Sequence, residues 1–231
     1  MKTFLNALIV LFAITAVALA QTPSASPKAP ATSSPATTTT ASSPATSTTT
    51  MSAQPDDAEM MKQMMELAKL NENHKLLGEF VGNWSYAMKM WMAPGAPPSE
   101  SKGSAVCKAI MDGRYFVSEN NGTFKMPGAD GKMKEMNFKG IATDAYDNVK
   151  KKFVSSWVDN MGTGIYLSEG TYDAATKTFT YTSEMEMMPG AKSKVRQTIK
   201  VTDADHRTFE FFEDRGTGET KTMEINFTRK K

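Results

Sequence analysis

From Gly82 to the C-terminus, apolar and polar residues alternate with a period of two. In residues 221–229, one face carries Met223, Ile225, Phe227 and Arg229, whereas the other face is polar and carries Thr222, Glu224, Asn226 and Thr228. The same alternation recurs over residues 178–185 and 195–202. Because successive side chains of a strand point to opposite faces, this pattern predicts half-buried β-strands.

Short clusters of Gly, Pro, Asn and Asp separate these alternating runs. Such clusters favour tight turns, and their spacing predicts about ten strands joined by hairpins without intervening helices. A long antiparallel meander leaves two exposed edges unless it closes on itself. The sequence therefore predicts an all-β domain, a closed antiparallel barrel over residues 74–231.

The segment before the barrel, residues 55–73, has a different period. After Pro55, the segment begins with the acidic residues Asp56 and Asp57 and contains no further Pro and no Gly. Its apolar residues Met60, Met64 and Leu67 recur three or four positions apart. This spacing predicts an amphipathic helix of about four turns whose apolar stripe packs against another surface.

Residues 1–54 lack the composition of a folded core. Lys2, an apolar run and the sequence Ala18-Leu19-Ala20 are typical of an export signal cleaved after Ala20, and an uncleaved anchor is the alternative. Residues 21–54 are rich in Ser, Thr, Pro and Ala, which predicts a disordered linker, either a plain spacer or a glycosylated stalk. We therefore expect an exported protein, periplasmic or extracellular, with no membrane span after signal removal.

Charge and cysteine content exclude several classes of function. Of the 27 basic residues only Lys2 and Lys28 precede residue 51, so the remaining 25 balance the 25 acidic residues. A neutral domain disfavours binding to nucleic acid or to an anionic membrane surface. The single Cys107 excludes an intramolecular disulfide and a zinc site built from several thiolates.

The start of the first strand carries the pattern Gly82-Asn83-Trp84. This Gly-x-Trp resembles the signature of lipocalin and related calycin barrels. The resemblance implies a basic residue of the last strand stacked on the Trp at the closed end of the barrel. Arg229 occupies the inward face of that strand by the alternation above, and a guanidinium on an indole is a favourable contact.

A longer resemblance covers roughly residues 74–231. Its motifs are residues 80–84, 94–98, 113–116, 146–148, 157–164, 169–171 and 227–230. These resemble the bacterial family catalogued as domain of unknown function 1579. The resemblance implies a fold and an exported bacterial origin, and it assigns no catalytic residue.

The sequence offers few candidates for catalytic side chains. His74 lies at the predicted helix-to-strand junction, and His206 lies in a turn, where we expect it to be solvated. Cys107 has no His near it in sequence, so we expect a buried small hydrophobic residue rather than a nucleophile. Asp159 and Glu169 flank a Gly-rich turn and are a candidate acid–base pair, although turn carboxylates usually cap their own backbone.

Methionine is unusually frequent, with 18 residues in several clusters. Met88, Met90 and Met92 alternate along the first strand, and such a ladder of thioethers is a candidate Cu(I) site. Methionine also fills irregular cores and lines adaptable apolar pockets, which is the interpretation we favour. No resident cofactor is predicted.

The leading functional hypothesis is a binding module for a small, largely apolar ligand inside the barrel. The candidate lining residues share the inward face of their strands: Tyr86, Met88, Met90, Phe138, Trp157, Tyr181, Met185 and Gln197. Gln197 is a lone amide on an apolar face and needs a partner, either a ligand or the Tyr181 hydroxyl. The alternatives are the Cu(I) protein and a structural or interaction module with a filled barrel, and an enzyme ranks last.

Overall fold

The computed structural model describes residues 56–128 and 130–231, so the predicted signal and linker lie outside the described residues. Two helices, α1 (Asp57–Leu67) and α2 (Glu72–Gly78), precede the sheet. A 3-10 turn at Met111–Gly113 lies between the second and third strands. The ten strands are β1 Gly82–Met90, β2 Ser99–Ile110, β3 Tyr115–Pro127, β4 Met133–Asp147, β5 Lys152–Asp159, β6 Tyr166–Asp173, β7 Thr178–Met188, β8 Ala191–Val201, β9 His206–Asp214 and β10 Glu219–Arg229.

The strands form one closed antiparallel barrel. Each strand pairs with its neighbours in sequence, and β1 also pairs with β10. Alternating side chains give each strand one apolar face, and closure removes the two edges that a ten-strand meander would expose. The predicted barrel is confirmed.

The register between β1 and β10 fixes which residues face inward. Trp84 pairs with Arg229, and Met90 pairs with Met223. Trp84 is 2% exposed and belongs to the core, so the residues that share its face also point into the barrel. The same register places Met88 opposite Ile225.

The tightly packed core lies at the end of the barrel that α2 approaches. The buried cluster contains Leu77, Phe80, Cys107, Phe116, Phe153, Phe179 and Tyr181. A capping box starts α2, in which the Asn71 side chain accepts from the backbone and His74 Nδ1 accepts from the Asn71 N–H. Leu77 and Phe80 then reach the core, so this short helix and the turn after it seal one end.

The helical segment differs from the predicted single helix over residues 55–73. α1 ends at Leu67. A second helix, α2, begins at Glu72, within the predicted helix, and ends at Gly78, within the predicted barrel domain. Asn71 is an N-cap, which explains why a new helix starts there instead of the first one continuing.

The described part of the chain does not cover the apolar stripe of α1. α1 contains no buried residue, and Met60 and Met64 are exposed. Over residues 56–128 and 130–231, no helix combines the length and the hydropathy that a membrane crossing requires.

Candidate functional site

Trp84 and Arg229 close the sealed end as the resemblance implied. The Arg229 guanidinium carbon lies 4.2 Å from the centre of the Trp84 ring. Arg229 also donates to three backbone carbonyls, those of Val81 at 2.6 Å, Glu79 at 2.7 Å and Ala204 at 3.0 Å. Every nitrogen of the guanidinium therefore has an acceptor.

Gly82 makes this closure possible. Its φ of +132° is a conformation that residues with a side chain rarely adopt, and a Cβ there would lie 2.6 Å from Arg229 Nη1. A side chain at position 82 would push the guanidinium off the carbonyl of Val81. The Gly-x-Trp pattern thus reflects the space that Arg229 occupies.

Arg207 is a second arginine at this end, which the sequence reasoning did not single out. Its guanidinium carbon lies 4.2 Å from the Trp84 ring centre, 4.3 Å from that of Phe80 and 4.9 Å from that of Phe227. The alternation Arg207, Phe209, Phe211 along β9 was the available signal, because it places an arginine on an apolar inward face.

The buried guanidinium of Arg207 is incompletely paired. Arg207 is 8% exposed, and among the described residues its Nη1 has no hydrogen-bond partner. Burial lowers the pKa of Arg207 well below its ordinary value, to about 10, so the side chain stays charged at neutral pH. A buried cation without a contacting acceptor is costly in an unliganded protein.

Asp144 supplies a carboxyl group to the same interior. It lies on β4 opposite Ser155 and Phe116, on the inward face. Burial raises the pKa of Asp144, while hydrogen bonding to Ser155 and the charge of Arg207 act in the other direction. Asp144 is half-buried.

Tyr181 carries a second unpaired polar group. The residue is 2% exposed, and within the described part of the chain its hydroxyl has no hydrogen-bond partner. Tyr181 and Gln197 are cross-strand neighbours, but the hydrogen bond considered as one partner for Gln197 is absent, so that alternative is wrong. Gly170 makes room for the ring, because a Cβ there would lie 2.7 Å from Tyr181 Cδ1.

The strand register places all eight predicted lining residues on the inward face. Phe138 stacks on Trp157 with ring centres 6.1 Å apart, and the Tyr86 ring lies 5.5 Å from that of Phe227. The Tyr86 hydroxyl donates to the Asn121 carbonyl at 3.1 Å. For the remaining residues, the strand pairing alone shows that they face inward: Met88, Met90, Tyr181, Met185 and Gln197.

Exposure of the inward residues increases along the strands. On β1, Trp84 and Tyr86 are buried, whereas Met88 and Met90 are half-buried. On β7, Phe179 and Tyr181 are buried and Met185 is half-buried. Since these side chains point inward, their accessible surface faces the barrel interior and is larger toward the end remote from α2.

The three-methionine ladder is wrong in one member. Met88 and Met90 face inward, but β1 ends at Met90, and Met92 is 72% exposed beyond it. Three thioethers therefore do not share a strand face. Over the described ranges, His, Cys, Asp and Glu side chains also form no cluster of three or more that could hold a metal ion.

The candidate acid–base pair does not come together. Asp159 accepts from Trp157 Nε1 at 2.7 Å and from the Met161 N–H at 2.9 Å. Glu169 instead forms ion pairs with Lys150 at 2.7 Å and Lys152 at 3.1 Å. Each carboxylate is thus engaged with its own neighbours.

The remaining candidate side chains have structural environments. His74 is buried, and its ring centre lies 5.8 Å from that of Tyr146. His206 is exposed as expected, but it is the first residue of β9 rather than a turn residue, and its Nδ1 lies 2.9 Å from Asp203 Oδ1. Cys107 is buried, and burial raises the pKa of its thiol, which disfavours the reactive thiolate.

Two clefts lie near the ends of the barrel. The first, about 160 Å³, adjoins the sealed end and is lined by Glu79, Phe80, Trp84, Val201, Asp203, Ala204, Arg207 and Arg229. It is smaller than the roughly 300 Å³ at which small-molecule sites begin. The second, about 620 Å³, is lined by residues 162–167 and 184–186 and includes the predicted lining residue Met185.

Comparison with known proteins identifies the fold and the family. No curated protein matches this chain. The crystal structure of Rv2717c from M. tuberculosis is similar at 14% identity and a TM-score of 0.51, over 71% of this chain and 100% of that one. The S-type phycobiliprotein lyase CPES from Guillardia theta is similar at 10% identity and a TM-score of 0.48, over 72% of this chain and 97% of that one.

The similarity to Rv2717c supports the closed barrel fold. The family model described as "Protein of unknown function (DUF1579)" matches residues 69–229, which include the barrel and both closing residues, Trp84 and Arg229. The chain belongs to this family of unknown function.

Proposed function

We propose that the barrel binds one small, largely apolar molecule in its interior. The observation that carries this proposal is the gradient of exposure along the inward faces of the strands. Apolar side chains pack tightly next to α2 and keep accessible surface toward the opposite end. An interior sealed at one end and lined by apolar side chains is the usual form of a small-ligand site.

The aromatic and thioether lining supports an apolar occupant. Phe138 and Trp157 present stacked rings, and Met88 and Met90 present flexible side chains that adapt to different shapes. Burying these surfaces against a ligand removes apolar area from water, which is favourable.

The direct test is binding of N-phenyl-1-naphthylamine, a neutral apolar probe whose fluorescence rises in apolar surroundings. We expect about one probe per barrel and a rise in melting temperature with probe concentration, because binding to the native state stabilises it by mass action. A barrel that neither binds the probe nor changes its melting temperature contradicts the proposal and favours a structural or interaction module.

A matched pair of substitutions locates the site. Ala142 faces inward and is half-buried, whereas its neighbour Ile141 faces outward and is exposed. We expect Ala142→Trp to fill interior space and weaken probe binding at least about tenfold, while Ile141→Trp leaves binding unchanged. Equal effects of the two variants indicate that the probe binds on the outer surface.

We propose further that the protein acts outside the cytoplasm. The support is the sequence pattern of residues 1–20, with a basic start, an apolar run and alanines at positions 18 and 20. In this proposal, the exported protein begins at Gln21.

A further inference from the structure

The buried guanidinium of Arg207 is arranged to receive an acceptor. Three aromatic rings, those of Phe80, Trp84 and Phe227, lie 4.2–4.9 Å from its central carbon. Aromatic rings attract a cation through their π-faces, but they do not replace the acceptors that guanidinium N–H groups need. The buried Nη1 has no acceptor among the described residues.

Arg229 provides an internal comparison. Its guanidinium carbon lies at the same 4.2 Å distance from Trp84, and it donates to three backbone carbonyls. All three guanidinium nitrogens of Arg229 therefore have acceptors, whereas Nη1 of Arg207 has none among the described residues. Closure of the barrel accounts for Arg229 but does not require a second, incompletely paired arginine.

Tyr181 adds an independent observation in the same interior. Its hydroxyl is unpaired, and its ring belongs to the buried cluster that also contains Phe80 and Cys107. Burial, with a contribution from Asp144, raises the pKa of Tyr181 well above 10.0, so the hydroxyl keeps its proton and can donate. Asp144 is within electrostatic range of both Tyr181 and Arg207.

The chemistry of these unpaired groups selects the class of ligand. A guanidinium donates and never accepts, so its partner must present an acceptor. A carboxylate supplies several lone pairs and a charge opposite to that of Arg207, and such charge-assisted hydrogen bonds are stronger than neutral ones. The apolar side chains nearer the end remote from α2 suit the remainder of the molecule.

We propose that the ligand is an apolar carboxylic acid whose carboxylate accepts hydrogen bonds from Arg207 and from the Tyr181 hydroxyl. This inference rests on the proposed function, since it requires that the interior takes up a ligand. It makes Arg207 and Tyr181 residues that determine specificity, in addition to the apolar lining.

The test measures how well carboxylic acids, and alcohols with the same hydrocarbon skeleton, displace N-phenyl-1-naphthylamine from the protein near pH 7.5. The pairs are decanoic acid with decan-1-ol and 2-naphthoic acid with 2-naphthylmethanol. In at least one pair we expect the acid to compete about tenfold more strongly than its alcohol, in line with a hydrogen bond to a charged group.

Variants assign the preference to its residues. Arg207→Met keeps a side chain of similar reach without charge, and we expect it to abolish the preference for the acid while the neutral probe still binds. Tyr181→Phe removes only the hydroxyl, and we expect the preference to fall about threefold. Arg196→Met is the control, because Arg196 pairs with Glu219 on the outer face and its loss changes the net charge equally.

The outcomes separate this inference from the proposed function. A protein that never binds the probe contradicts the proposed function itself. Probe binding with no advantage for the acid in either pair, or with no competition at all, overturns the carboxylate inference alone and leaves water as the partner of Arg207. An acid preference that Arg207→Met and Tyr181→Phe retain also overturns it. If Arg207→Met does not fold, Tyr181→Phe decides the assignment.

Discussion

Arg207 and Arg229 place their guanidinium carbons at the same distance, 4.2 Å, from the centre of the Trp84 ring. They differ in their hydrogen bonds, because Arg229 donates to three backbone carbonyls and Arg207 Nη1 lacks a partner among the described residues. The first arrangement stabilises the closed end of the barrel. The second leaves a buried guanidinium nitrogen without an acceptor, and a buried charge that is incompletely paired is costly.

Replacing Arg229 should weaken the barrel closure. Arg229→Ala removes the stacking on Trp84 and leaves the carbonyls of Val81 and Glu79 without their donor. We expect a loss of about 1–3 kcal/mol in the free energy of unfolding, measured by urea denaturation. The control, Lys230→Ala, changes an exposed neighbour and should cost no more than about 0.5 kcal/mol. Equal losses would mean that Arg229 contributes no more than a solvated side chain.

Replacing Arg207 should have the opposite effect on the unliganded protein. Arg207→Met removes a buried charge and keeps apolar contact with the rings of Phe80, Trp84 and Phe227. We expect the free energy of unfolding to be unchanged or to rise by up to about 2 kcal/mol. A loss greater than about 1 kcal/mol would show that Arg207 is structural, as Arg229 is.

Two tyrosines offer a matched test of the unpaired hydroxyl. Tyr181→Phe removes a buried hydroxyl that lacks a partner, so we expect a gain of about 1 kcal/mol in the unliganded protein. Tyr86→Phe instead removes the donor of the hydrogen bond to the Asn121 carbonyl, and we expect a loss of about 1 kcal/mol. Chemical denaturation of both variants gives the sign of each effect. Losses of similar size would indicate that an ordered water molecule satisfies Tyr181.

The carboxyl of Asp144 should make stability depend on pH. Its native pKa is raised above the ordinary value of 3.8, so the native state holds its proton more tightly than the unfolded state. The resulting stability is present below 3.8 and is lost as the pH rises through the native pKa. Asp144→Asn imitates the protonated form without titrating. We therefore expect its stability relative to the unmodified protein to be greater near pH 7.5 than near pH 4, measured by urea unfolding. A constant difference would mean that Asp144 ionises normally in the native protein.

Processing tests the proposal of export. If the alanines at positions 18 and 20 direct cleavage, N-terminal sequencing of the protein secreted by a bacterial host should start at Gln21. Brief proteolysis should then shorten residues 21–54 while the melting temperature of the remainder stays the same. An exported form that keeps Met1 contradicts cleavage, and a segment resistant to protease contradicts the disordered linker.

The alternation of apolar and polar residues was sufficient to predict the strands and their inward faces. Met223, Ile225, Phe227 and Arg229 occupy the inward face of β10 because the pleat of a strand has a period of two. Closure also followed from local information, since ten hairpin-connected strands leave exposed edges unless the first and last pair. The pairing of Trp84 with Arg229 confirms both inferences.

The helical segment was harder to predict because a helix boundary depends on competing local signals. The spacing of Met60, Met64 and Leu67 indicates a helix but not where it ends. Asn71 instead caps α2, and its side chain donates to Asn148 across the structure at 2.7 Å. A contact between residues so distant in sequence cannot be inferred from the local pattern.

By itself, the sequence determined a barrel and its inward residues, because strand periodicity and closure are local or topological constraints. The arginine on Trp84 was implied by the resemblance to calycin barrels, and the alternation placed Arg229 on the inward face. Only the tertiary structure showed that Arg207 shares the same indole, that Asp144 lies within its electrostatic range, and that Tyr181 has no hydrogen-bond partner among the described residues. These relationships join β4, β7 and β9 with the first strand, which are separated along the chain. Whether a polar side chain is satisfied depends on distances between such strands, and distances are fixed only when the barrel closes.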